Sequence, residues 1–352
     1  MNTQIQQPVP RKHTVDSTRF QRLALHSAVA AALLGGAYSR AAYAGSCTPG
    51  PVSVCSGPAN NGVDTTQNLT GTSLTVTTTL GFGIDTTSTG GYALQLLGTD
   101  GLTFTDTNNS RITGHRVGIE ARNTGSGALS ITSSAEVQGA IFYGIRARNY
   151  GTNLTLQTAS VSSGQFGVFA RNSGSGALDI TSAGRVQGGR GGDGIYARNA
   201  GTDLTIHTTA VTGGRGGINA RNMGNGELSI ASSEAVIGSS FIGVYASNTG
   251  TGLTLQTTAV SGGVGGIVAR NAGSGALRIT SSEVITGTSH TGIFANNYDG
   301  TDLTLQTATV TGGIFGIEAI NSGSGALSIT TSGAVTAASG AGIWARNRGS
   351  DL

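Results

Sequence analysis

Ten near-copies of one hexad run through the chain, each reading Gly, Ile or Val, a free residue, Ala, usually Arg, then Asn. They open at Gly118, Gly144, Gly167, Gly194, Gly217, Gly243, Gly266, Gly292, Gly316 and Gly342, with neighbours 23 to 27 residues apart. A unit this short cannot bury its own apolar face and must stack on its neighbours, so the spacing demands a solenoid. Along a strand, side chains alternate sides. Ile195 and Ala197 therefore share the core side. The third position holds Glu120, Arg146, Phe169, Tyr196, Asn219, Tyr245, Val268, Phe294, Glu318 and Trp344, and one that accepts all of these faces outward.

Two more strands follow in each repeat. Leu129-Ser130-Ile131-Thr132 and Leu204-Thr205-Ile206-His207 alternate apolar and polar residues. A shorter third strand carries one branched residue: Val137, Val161, Val186, Val211, Val236, Val260, Val284, Val310 and Val335. The fold class expected is all-β: a right-handed parallel β-helix with three short strands per coil of 23–27 residues. The right hand follows from the strong preference of parallel crossovers. A leucine-rich repeat has a similar period, but its convex helical segment would here be Gly, Ser and Thr, poor helix formers.

The hexad Asn recurs in every copy: Asn123, Asn149, Asn172, Asn199, Asn222, Asn248, Asn271, Asn297, Asn321 and Asn347. Two properties suit it to a corner. Asn tolerates the left-handed backbone region, and stacked Asn side chains can hydrogen-bond as a ladder.

Residues 1–44 read as a signal peptide with an extended basic leader. Arg11, Lys12, Arg19 and Arg22 precede an Ala-rich apolar run, and Ala42-Tyr43-Ala44 is a small-x-small cleavage site, which places the cut between Ala44 and Gly45. Residues 45–66 hold the only cysteines, Cys47 and Cys55, a pair expected to form a disulfide in an exported protein. Residues 67–117 read as irregular capping coils. Within them Leu74-Thr75-Val76 and Leu102-Thr103-Phe104 resemble second strands, and Gly91-Tyr92-Ala93-Leu94 a degenerate hexad. Residues 118–352 are the regular coils, paired into a double repeat, with a strand begun and not finished at Gly349-Ser350-Asp351-Leu352. The chain is therefore expected to continue in a longer protein.

Charge and chemistry narrow the function. From Gly45 onward there are 15 arginines, no lysine and 16 carboxylates, so the basic balance lies in the leader and gives no support to a nucleic-acid partner. No catalytic cluster, metal site or cofactor motif emerges: His115, His207 and His290 lack metal-ligand spacing, and the acidic residues are scattered. Gly188 to Tyr196 fits one calcium-binding nonapeptide, but the equivalent turns at Gly213 and Gly262 lack its Asp, and that motif works in tandem. The Arg198 row reads as a solvated face. Tyr196, Tyr245, Phe294 and Trp344, at the third position in alternate coils, form the candidate ligand-binding face, about 10 Å apart.

The basic leader ending at Ala42-Tyr43-Ala44, the Cys47 and Cys55 pair after it, and the Gly-Ile-x-Ala-Arg-Asn coils together resemble the passenger region of a bacterial autotransporter, the type V secretion family. The resemblance spans essentially the whole chain. It implies export through the periplasm to the cell surface or outer membrane, or release, by way of an outer-membrane translocation barrel downstream in the same chain. It also implies a non-catalytic stalk or adhesin in adhesion, aggregation or biofilm formation, with host or bacterial surface glycans or proteins as partners. The competing expectations are a β-helical carbohydrate-active enzyme of the pectate-lyase kind and a two-partner-secretion adhesin or fibre without its own barrel.

Overall fold

The computed structural model describes residues 44–349; the leader through Tyr43 and the last residues, 350–352, lie outside the described residues. Within that range the chain forms strands and turns and no helix. The strands assemble into three sheets of 12, 13 and 11 strands, built from the hexads, the second strands and the third strands respectively. Each coil gives one strand to each sheet, so the chain winds as a right-handed parallel β-helix of about 12 turns.

Like residues stack in register. Ile195 pairs with Ile218, Ala197 with Ala220 and Asn199 with Asn222; Leu204 pairs with Leu228, and Val211 with Val236. The inward residues of one coil, Ile195, Ala197, Leu204, Ile206 and Val211, are fully buried in one continuous core. Burying each large apolar side chain contributes about 1.5–3 kcal/mol before conformational entropy is subtracted. The hexad Gly is explained by crowding at the corner that leads into its strand. A Cβ on Gly194 would lie 2.4 Å from Cγ1 of Val211, and one on Gly243 2.5 Å from Cγ1 of Val260. Glycine lets the strand close onto the branched residue of the third strand.

The Asn row is a continuous ladder. Each Nδ2 donates to Oδ1 of the next coil's Asn, from Asn123 to Asn149 at 2.8 Å through Asn321 to Asn347 at 3.1 Å. Asn222 shows the full set. Its Oδ1 accepts from Asn199 and from the N–H of Gly224, and its Nδ2 donates to Asn248 and to the carbonyl of Gly226. Two donors and two acceptor sites are the whole capacity of the side chain, so this buried amide leaves nothing unpaired. The expected left-handed backbone is corrected: the only non-glycine residue with positive φ among those described is Asn109, at 56°. The corner is turned by side-chain hydrogen bonds across the loop, which a left-handed residue is not needed to start.

Two further expectations shift. In the third strand near residue 284 the core residue is Ile285, paired with Val260, while Val284 stands 47% exposed. Two branched residues compete there, and the stack selects the one aligned with Val260. The stretch 67–117 joins the same three sheets, but its turns differ from those of the regular coils: Gly81, Gly90, Gly91, Gly101 and Asn109 have positive φ, against Gly191 alone in the described residues from 118 on. Leu94 pairs with Ile119, Leu96 with Ala121 and Gly98 with Asn123, so the degenerate hexad runs from Ala93 to Gly98, two residues beyond the Gly91 start expected. Leu74–Thr78 and Leu102–Asp106 are indeed second strands.

The double repeat also has an atomic form. The last inward residue of the second strand alternates between Ser182, Ser232 and Ser281, which donate to backbone carbonyls, and Thr158, Thr208, Thr257 and Thr307, whose buried hydroxyls lack a partner.

At the N-terminal end one of the three sheets is covered by a further hairpin. Ser46–Cys47 and Val52–Ser56 form an antiparallel hairpin closed by the Cys47–Cys55 disulfide, and Val52–Ser56 pairs in parallel with Leu74–Thr78. This occupies the edge of the second-strand sheet, which would otherwise offer unpaired backbone groups.

Candidate ligand-binding site

The outer face of the hexad sheet changes character along the axis. Its floor is the third hexad position. One wall is the row two residues before the hexad Gly, which includes Arg116, Phe142, Arg215, Phe241, Val264 and His290. The other is the fifth hexad position, mostly Arg. Between wall and floor stands the residue just before the Gly, and this column decides the shape.

Around Gly144 and Gly167 that column is aromatic. Tyr143 stacks on Phe166 with centroids 5.6 Å apart, and both meet Phe169 edge-on at 5.5 and 6.1 Å. Phe169 in turn stacks on Tyr196 at 4.9 Å. The face is filled with its own side chains. Further along, the column becomes Gly216, Ile242, Gly265 and Thr291, and the floor opens into a groove of about 530 Å³. Tyr245, Val268 and Phe294 lie in it, with Asn219 and Glu318 toward its ends. Asn219 and Glu318 are four coils apart, so the floor runs about 19 Å along the axis.

The arginines are more engaged than a solvated row. The guanidinium of Arg221 lies 5.0 Å from the ring centre of Tyr245 in the next coil, and Arg270 lies 5.4 Å from Phe294 in the next. Arg148 over Phe169, at 5.9 Å, follows the same rule, and Arg215 over Phe241 builds the opposite wall at 5.2 Å. Each such contact contributes about 0.5–1 kcal/mol at an exposed site and holds the cation in place. The groove therefore has an aromatic floor flanked by fixed guanidinium groups.

Two carboxyls lie along it. Asp193 is almost fully buried; its Oδ1 accepts the N–H of Gly216 at 3.1 Å and its Oδ2 accepts from Asn219 Nδ2 at 3.2 Å. Burial pushes its pKa up, while the bond from Asn219 and the nearby Arg215 pull it back. Glu318 is pushed up by burial, and His290 opposes this. Asp193 and Glu318 are five coils apart, about 24 Å, well beyond the separation at which two carboxyls share a glycosidic bond. Among the described residues no group of three His, Cys, Asp or Glu side chains could hold a metal ion. Asp193, the acid of the calcium-type nonapeptide, is committed to Gly216 and Asn219 instead.

Of the four aromatics expected to form one binding row, the structure brings Tyr245 and Phe294 into the groove. Tyr196 belongs to the filled stretch, with one ring face on Phe169. Trp344 stands exposed, its strand paired beside Glu318, and does not line the groove. Sequence reasoning missed Arg221, Arg270, Asp193 and Glu318 as parts of one site. The cue was the small residues Gly216 and Gly265 before the hexad, where earlier coils carry aromatics. Against known proteins, the chain matches no family model, no curated protein and no solved structure.

Proposed function

We propose that this chain is the passenger region of a bacterial autotransporter, exported to the cell surface as a non-catalytic β-helical stalk and adhesin. Its binding surface is the open groove, and the ligand class is an acidic oligosaccharide. The observation that carries the ligand is the pairing of Tyr245 with Arg221 and of Phe294 with Arg270. Aromatic faces stack on sugar rings, and guanidinium groups pair with carboxylates in a bidentate fork. An extended groove along a repetitive sheet suits an extended repetitive ligand. The leader, ending at the Ala44–Gly45 cleavage site, supports export, and the uninterrupted coils suit a stalk.

The test uses cells that make the full protein. Labelling of the chain by an impermeant reagent on intact cells, together with attachment to a surface coated with polygalacturonate, is the expected result. Tyr245→Ala with Phe294→Ala should lower attachment without lowering surface labelling. A chain that stays inside the cell, or attachment indifferent to both substitutions, contradicts the proposal. Release of unsaturated uronide from the coat would replace the adhesin with the lyase reading.

A further inference from the structure

The N–H of Gly45 donates to Oδ1 of Asp64 at 2.9 Å, in a buried position. Asp64 is itself fully buried. Its Oδ2 accepts two more backbone amides, from Asn60 at 2.8 Å and Asp85 at 2.7 Å. The ion pairs formed among the described residues are Arg111 with Asp85 and Arg146 with Glu120, and neither includes Asp64. A buried carboxylate held by amides alone carries a charge that no cation balances.

The surroundings of Gly45 are tightly fitted. A Cβ at residue 45 would fall on the carbonyl oxygen of Gly83, so only glycine fits there. Gly83–Asp85 is the first strand of the third-strand sheet, paired on one side only. Asp64 thus ties together residue 45, the loop at Asn60 and the open edge at Asp85. It is the clasp of the N-terminal cap, and solenoid ends fray when their caps are weak.

We propose that cutting the chain between Ala44 and Gly45 completes this clasp: the freed α-ammonium of Gly45 docks on the buried carboxylate of Asp64. Hydrolysis of the Ala44–Gly45 peptide bond consumes one water, leaves a carboxylate on Ala44 and an amine on Gly45, and the amine takes a proton. The neutral N–H beside Asp64 becomes a cation at the same place. Charge-assisted hydrogen bonds are roughly twice as strong as neutral ones, so processing tightens the cap that the unprocessed chain holds only by an amide. Removal of the leader and closure of the solenoid's first coil become one event. The inference rests on the export reading, because it needs the cut at this bond.

Residues 45–352 hold no lysine, so within them this α-amine is the one primary amine, and its label is read on the N-terminal peptide. The exported protein is purified, and the mass of its N-terminal peptide is read first. A start at Gly45 is expected; a start elsewhere overturns the cleavage site and the docking with it. Acetic anhydride then labels the amine in the folded protein and in urea. An ammonium held by a carboxylate should react at least about tenfold more slowly in the folded state, and Asp64→Asn should restore most of the lost reactivity. A Gly45 start with equal labelling in both states overturns the docking and leaves the cleavage site standing. If Asp64→Asn does not fold, the folded-to-urea ratio of the unsubstituted protein still decides.

Discussion

Two stretches of the same sheet face share a backbone, a hexad and aromatic residues at the same position, yet one is packed shut and the other open. Between Tyr143 and Tyr196 the aromatics spend their faces on each other. Between Asn219 and Glu318, Tyr245 and Phe294 line a groove, each with an arginine over one ring face. Two positions make this difference. At the third hexad position Phe169 and Tyr196 stack in adjacent coils, whereas Val268 separates Tyr245 from Phe294. The residue before the hexad Gly is Tyr143 or Phe166 in one stretch and Gly216 or Gly265 in the other. A repeat fixes which residues face outward; a non-repeating neighbour decides whether they remain available.

The largest effect should come from breaking the frame common to both stretches. Ile195→Asp buries an unpaired charge and is expected to lose at least about 4 kcal/mol in denaturant unfolding, whereas Tyr196→Ser, one residue on, should lose about 1 kcal/mol. Equal losses would reverse the inside and outside assigned here. Next is the ladder, which runs beneath both stretches. Asn172→Ala under the packed one and Asn248→Ala under the open one should each cost about 2–4 kcal/mol, since each orphans buried groups on two neighbouring Asn residues. A marked difference between them would mean that the face above contributes to the ladder's strength.

Converting one stretch into the other is the sharper comparison. A Cβ at Gly265 would lie 3.3 Å from the carbonyl oxygen of Thr291, so a side chain there needs that strand to give by a few tenths of an ångström. Gly265→Phe should fill the groove as Phe166 fills its own stretch, weaken binding of an acidic oligosaccharide by tenfold or more, and cost about 1–3 kcal/mol for that shift. Phe166→Ala should do the opposite, costing about 1–2 kcal/mol of packing with binding unchanged.

The smallest effect is on pH. Burial raises the pKa of Asp193 and Glu318 in the fold above the ordinary carboxylate value. Each then binds its proton more readily folded than unfolded, so stability rises as pH falls from neutral through the raised values and levels off below the ordinary value. Anionic ligand should also bind more tightly over that window, as Glu318 loses its charge. Asp193→Asn should flatten the stability profile and leave most of the binding profile, which depends on Glu318; calorimetry across pH reads both.

Much of the fold was legible because the period and the inward residues repeat. Ile195, Ala197, Leu204 and Val211 could be placed from alternation alone. What was not legible depended on stacking between coils. Val284 and Ile285 are adjacent branched residues, and only pairing with Val260 selects between them. The Asn corner had two mechanisms open, and the side-chain ladder made a left-handed backbone unnecessary. Gly98, where later coils have Asn, hid the second coil's register. The groove was half legible: Tyr245 and Phe294 stand out in the hexad, but Gly216 and Gly265 gain meaning only beside Tyr143 and Phe166.

The most direct measurement is a calorimetric titration of the exported protein with polygalacturonate, run beside its neutral methyl ester and repeated on Gly265→Phe. Saturable binding to the acid, little to the ester, and loss of both in a folded Gly265→Phe protein is the result expected if the open stretch is the site. Binding that survives Gly265→Phe, or favours the ester, would contradict it.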